Sequence, residues 1–315
     1  MPIHWFPGHM ATAKREIRAI MPEVDLVIEV LDARIPYSSE NPLVEGLRGK
    51  KPRIQVLNKR DLADPAITEA WLAAIRTRPG VTAIAHQHGE GGFPAMLIER
   101  AKEMVGTVRG RPMAALILGI PNVGKSTLIN TLARRTIAKT GNKPAVTQMQ
   151  QRINAGKDLA LFDTPGFLWP KLSPAACGYR LAVTGAIADR VLDYQDIAAF
   201  AARFLLSRYP ERLVALYGAK WIPDDPAFLV ENVGRSRGFL GKGGVVDLQR
   251  AAERLIHDLR DGRLGPLSLE TPEDCGVGRR AAAAVEDSPE GAEDAPDAAE
   301  EALEGSAESA EPAAE

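Results

Sequence analysis

Cysteine is scarce in this chain: Cys177 and Cys275 stand far apart, with no C-x-x-C pair and no neighbouring histidine cluster. Two such residues exclude a disulfide framework and give no zinc-site spacing, so both are expected to be ordinary reduced thiols. Long apolar runs are missing too, and without some 18 consecutive apolar residues there is no candidate membrane span. The first residues, MPIHWFPGHM, lack the charged start and apolar stretch of a secretory signal. A soluble, cytoplasmic protein with no membrane partner is therefore expected. No internal repeat occurs at solenoid periods, and nothing points to an obligate oligomer.

Positive charge is absent from one end. Residues 281–315 hold 12 Asp and Glu but neither Lys nor Arg, so the net charge of −2 conceals 39 basic against 29 acidic residues in the rest. A basic body favours a polyanionic partner, nucleic acid above all, although a solvated basic face without a ligand has the same signature. The Ala-, Glu-, Pro- and Ser-rich end has little to bury, so residues 269–315 are expected to form a disordered acidic tail.

At 315 residues the chain has room for two folded domains before that tail. Short runs rich in branched aliphatics recur at Asp25–Leu31, Arg53–Leu57, Val81–Ala85, Ala114–Leu118 and Leu159–Phe162. Helix-like stretches alternate with them at Ala66–Ile75, Phe93–Met104 and Ser126–Arg135. Apolar runs this short suit strands covered on both faces, and the alternation predicts an α/β fold with a mostly parallel sheet. After Trp169 the strand pattern stops. Val245, Leu248, Ala252, Leu255, Ile256 and Leu259 follow helical spacing and predict one buried stripe. The expected organisation is an α/β domain over residues 1–172, a small all-α domain over 173–268, and the tail.

In a parallel sheet, ligands sit beyond the carboxyl ends of the strands. After Ala114–Leu118 comes Gly119-Ile-Pro-Asn122-Val123-Gly124-Lys125-Ser126-Thr127, a complete G-x-x-x-x-G-K-[ST]. Its backbone amides and the following helix N-terminus suit phosphates, Lys125 supplies charge for the β- and γ-phosphates, and Ser126 offers a hydroxyl to Mg²⁺. At the end of Leu159–Phe162 stands Asp163-Thr164-Pro165-Gly166. Asp163 can hold Mg²⁺ through water, and the Gly166 N–H can meet a γ-phosphate. In the polar stretch between them Thr147 is the candidate to complete Mg²⁺ coordination, with Thr140 as the alternative. Upstream, Asn58-Lys59-Arg60-Asp61 follows the strand Arg53–Leu57. A carboxylate at Asp61 can accept from guanine N1–H and the 2-amino group, which adenine cannot offer in that geometry; Asn58 can bond loop and base, and the Lys59 stem can cover the ring. Adenine-directed ATPase or kinase chemistry is disfavoured for the same reason.

The order N-K-x-D, P-loop, D-x-x-G is a circular permutation of the translation-factor-type GTPase, and the chain resembles the YlqF/RbgA family of ribosome-biogenesis GTPases. The resemblance runs from His4–Met10 through Asp32-Ala33-Arg34-Ile35-Pro36, Asn58–Asp61, Gly119–Ser126, Pro144–Thr147 and Asp163–Lys171 into the helical region, over roughly residues 1–265. It implies a P-loop GTPase domain, binding of GTP and GDP, and a helical RNA-binding domain acting on the large ribosomal subunit and its rRNA. Phe167 stands where many GTPases place a water-orienting Gln, and the resemblance implies that His9 takes that role, with Lys125 beside it in catalysis. It also implies that Asn122 helps to hold K⁺ next to the phosphates. The loop Ala85-His86-Gln87 faces the base in such a fold, which makes His86 a candidate contact, although it departs from the Ser-Ala type of many GTPases. His86 and His88 have no acidic or Cys partners nearby, which suits loop residues better than metal ligands. For RNA, Gly234–Gly244 offers Arg235, Arg237 and Lys242 on flexible backbone. A nucleotide-stabilised RNA-binding scaffold without turnover remains the alternative, because of Phe167.

Overall fold

The computed structural model describes residues 15–133, 151–164, 166, 168 and 174–277. His9, Thr140, Thr147, Phe167 and the tail from residue 278 lie outside the described residues. Six strands, β1 (Leu26–Asp32), β2 (Arg53–Asn58), β3 (Val81–Ala85), β4 (Met113–Gly119), β5 (Gln151–Ala155) and β6 (Leu159–Asp163), form one sheet. Their spatial order is β3-β2-β1-β4-β6-β5. All pairings are parallel except β5 against β6.

The apolar runs have the expected cause, because every residue of β1, β2, β4 and β6 is buried. On one face Ile28, Val30, Ile54 and Ile117 pack with Phe93 and Leu97 of a helix over Phe93–Val105 and with Leu128 and Ile129 of a helix over Lys125–Ala133. On the other face Val27, Leu116 and Phe162 meet Ile17 and Val24, while Leu57 and Ala83 meet Trp71, Leu72 and Ile75 from the helix Pro65–Arg76. With α1 (Pro36–Ser39) and α2 (Leu43–Arg48) ahead of them, these helices are α3 (Pro65–Arg76), α4 (Phe93–Val105) and α5 (Lys125–Ala133). Parallel register brings the carboxyl ends of β1, β2, β4 and β6 to one edge, with Asp32 opposite Asn58.

Strand β5 is a finding the sequence did not announce. It is an edge strand in which Ile153 and Ala155 are buried while Arg152 and Asn154 face solvent, so its apolar content is too low for a run. Beyond the sheet lie α6 (Ala175–Val183), α7 (Tyr194–Arg208), α8 (Pro210–Tyr217), α9 (Leu229–Ser236) and α10 (Leu248–Arg260). The predicted stripe is right from Ala252 onward, but Val245 is 68% exposed and precedes the helix. The Asp247 carboxylate accepts from Arg250 N and starts α10 at Leu248, which leaves Val245 outside the periodicity.

The tail boundary at residue 269 is corrected as well. Leu269–Val277 is described, and Leu267 N and Leu269 N donate to Leu62 O and Arg34 O at 2.9 Å each. Glu270, fully buried, accepts from Ser38 N (2.9 Å) and Ser38 Oγ (2.5 Å) and pairs with Arg180 of α6 at 3.1 Å. Its carbonyl accepts from Trp71 Nε1 at 3.2 Å. Composition missed this because a single acid, paired inside the fold, reads like the acids of the tail. Burial raises the Glu270 pKa, opposed by Ser38 and Arg180.

Removing one member of a buried pair strands the other. Glu270→Ala is expected to lower unfolding stability by about 3–5 kcal/mol in urea titration. A loss below about 1 kcal/mol would show that Glu270 does not fasten this segment.

Candidate nucleotide site

Strand β4 ends at Gly119, where a Cβ would lie 2.7 Å from Val30 O, so only glycine lets the turn leave the sheet so close to β1. Asn122 and Gly124 have positive φ (57° and 92°), and the chain then enters α5 at Lys125, with Ser126 and Thr127 in the first turn. The first amides of a helix have no intrahelical partner, which suits the start of α5 to a phosphate.

Asn58, at the end of β2, reaches across the sheet edge to this loop. Its Nδ2 donates to Val123 O at 2.8 Å, and a Cβ at Gly124 would stand 2.3 Å from the same nitrogen. With Nδ2 committed to a carbonyl, Oδ1 faces His86 Nδ1 at 2.8 Å, so His86 carries its hydrogen on Nδ1. His86 is 1% exposed, packs on the Phe93 ring at 4.0 Å, and its Nε2 has no hydrogen-bond partner among the described residues. Burial lowers its pKa, which favours the neutral ring. His86 is therefore placed behind Asn58 and not on the surface that would meet a base.

Lys59 adopts left-handed backbone (φ 61°), and its Nζ donates to Asp32 Oδ2 at 3.1 Å. Asp32 is gripped in turn by Arg34, Nε to Oδ1 at 2.9 Å and Nη2 to Oδ2 at 2.8 Å. Burial pushes the Asp32 carboxyl up, but Arg34 and Lys59 override it and hold the group well below the usual carboxylate range. Asp32 thus fixes the Lys59 stem, a role the sequence did not single out; an acid ending a buried strand was the available signal. Arg60 pairs with Glu90 at 3.2 Å and faces outward. Asp61 is exposed, and no described residue hydrogen-bonds its carboxylate.

At the phosphate end Lys125 Nζ is ion-paired with Asp163 Oδ1, both buried. Burial lowers the Lys125 pKa against the pull of Asp163. Thr164 Oγ1 donates to Ile117 O at 3.0 Å, and a Cβ at Gly166 would touch Pro121 N at 3.3 Å. The D-x-x-G turn therefore rests directly on the P-loop. Ser126 and Asp163 offer one hydroxyl and one carboxylate, a donor set suited to Mg²⁺ shared with phosphates and water. Asn122 Nδ2 donates to Gly185 O at 2.8 Å, tying the P-loop to the segment after α6. The three motifs meet at one edge.

Comparison with known proteins agrees. A family model described as 50S ribosome-binding GTPase matches residues 114–204. That span starts in β4 and includes the P-loop and D-x-x-G but not Asn58–Asp61, as permuted order requires. Ribosome biogenesis GTPase A of Bacillus cereus is 45% identical over 284 residues, covering 88% of this chain and 96% of that protein. The chain belongs to the ribosome biogenesis GTPase A family. Solved structures agree with this assignment: GDP-bound YlqF has a TM-score of 0.61 at 28% identity, covering 82% of this chain and 100% of that one. GNP-bound YlqF from T. maritima gives 0.57 at 28% identity, covering 84% and 99%. The protein is a circularly permuted P-loop GTPase that hydrolyses GTP.

The proposed RNA residues fall elsewhere on this GTPase. Arg235 pairs with Glu231 at 2.6 Å on α9, Lys242 is exposed, and Arg237 stacks on Tyr217 at 5.1 Å. Among the described residues no helix is long and apolar enough to cross a membrane. Both cysteines are free.

His86→Ala would leave Asn58 Oδ1 buried and unmatched, at about 1–3 kcal/mol. GDP affinity, measured by fluorescence titration, is expected to weaken roughly tenfold, with recovery in His86→Thr, which keeps a donor. Unchanged affinity in His86→Ala would remove the positioning role.

Proposed function

We infer that the protein is a GTP-dependent assembly factor for the large (50S) ribosomal subunit, working in the cytoplasm. The observation that carries this reading is the meeting of Asn58, Val123, Lys125 and Asp163 at one sheet edge, with Asn122 linking that edge to the helical part. Asp61 is proposed to accept from guanine N1–H and the 2-amino group, with the Lys59 stem over the ring, Asn58 holding the loop, and Arg60 at its rim. Amides of Val123, Gly124, Lys125, Ser126 and Thr127 would surround the phosphates, with Gly166 N–H at the γ-phosphate.

Mg²⁺, when bound, neutralises charge on the β- and γ-oxygens, and Ser126, Asp163 and Thr147 are the residues proposed to hold it. Lys125, now paired with Asp163, would be the residue to take a phosphate, and Asp163 the carboxylate to face the metal. Hydrolysis needs an in-line water and little covalent work from the protein. His9 is proposed to orient that water, since Phe167 offers neither donor nor acceptor. Asn122 is proposed to help hold K⁺, whose charge would favour the transition state. Because the D-x-x-G turn leads toward α6, a γ-phosphate contact at Gly166 can bias the helical part, and with it affinity for a ribosomal precursor and rRNA.

Asp61→Asn presents an amide where the carboxylate was, so GTP affinity should fall about 100-fold while xanthosine triphosphate, with an oxygen at C2, gains. Competition binding reads this, and unchanged GTP preference would contradict the base assignment. Turnover is expected to rise at least about tenfold with purified large subunits, and to be faster in K⁺ than in Na⁺. Equal rates with and without subunits would favour the scaffold alternative, and equal rates in the two salts would remove K⁺.

A further inference from the structure

The helical part contains a buried acid that no nucleotide chemistry uses. Asp258 of α10 is 1% exposed, and its Oδ2 accepts from Tyr217 OH at 3.0 Å and Arg254 Nε at 2.9 Å, while Oδ1 lies 2.9 Å from Arg254 Nη2. Oδ2 is thus satisfied, whereas Oδ1 has ion-pair neighbours but no hydrogen-bond donor among the described residues. Two further guanidiniums converge on the carboxylate, Arg263 Nε at 3.7 Å and Arg237 Nη2 at 3.8 Å.

Three cations around one acid leave two positive charges in excess. Neither the Arg237 nor the Arg263 side chain hydrogen-bonds a described residue, and they are 31% and 54% exposed. Arg237 has a side-chain support, and Arg263 is placed only through its backbone. Arg237 lies over the Tyr217 ring at 5.1 Å, and Arg263 N donates to Asp258 O at 2.9 Å. Partly exposed guanidiniums with unspent planar donors, side by side, are what a phosphate group selects.

We propose that Arg237 and Arg263, organised by Asp258 and Arg254, form a phosphate-binding site for the RNA backbone. This rests on the ribosomal reading above and changes its residues: Arg235, neutralised by Glu231, is not part of the site. Convergence of both arginines on a single carboxylate suits one phosphate or two neighbouring ones, whereas an acidic protein surface spreads its charges. The adjoining loop adds an exposed cation at Lys242, beside Gly243, which has positive φ and no side chain.

The test uses the full chain with a non-hydrolysable GTP analogue, titrated against purified large subunits and against deproteinised rRNA from them over a salt series. In Arg237→Gln/Arg263→Gln, affinity for both probes should fall about 10- to 100-fold and the salt slope by about two, with GTP affinity unchanged. Arg235→Gln should bind like the parent chain. Arg263→Glu alone, at the more exposed site, serves if the double variant melts early, and should lose about tenfold. Parent-like binding by these variants would overturn the proposal and leave the ribosomal reading standing. Loss on subunits but not on bare rRNA would also overturn it, in favour of an acidic protein surface. Binding of bare rRNA but not subunits by the parent chain, lost in the variants, would keep the site and discard the ribosomal reading. No binding to either probe would end both.

Discussion

The side chain of Asn58 is the tie on which the site depends. A strand that would read a base and a loop that would hold phosphates are separated in sequence by 65 residues, yet one amide joins them, donating to Val123 O and accepting from His86. Because both amide ends are spent, the group cannot flip without leaving a buried polar atom unmatched, and the spacing between β2 and the P-loop is fixed. Gly124 has no room for a side chain because that amide lies against it. Circular permutation costs nothing here, since the tie runs between strand ends whose adjacency is set by the sheet and not by chain order.

From that edge a series of polar contacts leads into the helical part. Asn122 donates to Gly185 O, Arg260 donates to Ala182 O and Val183 O at the end of α6, and Arg180 of the same helix pairs with Glu270. Glu270 holds α1 through Ser38, and Asp32 at the end of β1 holds Lys59. Helix α6 is therefore fastened at one end to the P-loop and along its side to the return segment.

Much of this was legible in the residues. Strands buried on both faces leave apolar runs, and β1, β2, β3, β4 and β6 emerged within about one residue of their expected limits. P-loop, D-x-x-G and N-K-x-D name chemistry that must be local, so their convergence could be expected. What the residues could not display were contacts made by ordinary amino acids at long range. His86 reads as a base-facing loop histidine until its burial behind Asn58 is seen, and Glu270 reads as tail. Strand β5 escaped because an edge strand needs only two apolar side chains, and Val245 joined the helical stripe because spacing alone cannot see the Asp247 cap.

A crystal structure of the protein with a GTP analogue and Mg²⁺ tests the central claim most directly. The account predicts the Asn58–Val123 bond intact, the Asp61 carboxylate on guanine, and Lys125 moved from Asp163 to the phosphates within one continuous cleft. A nucleotide seated with its base away from Asp61, or a site in which Asn58 has let go of the P-loop, would contradict it.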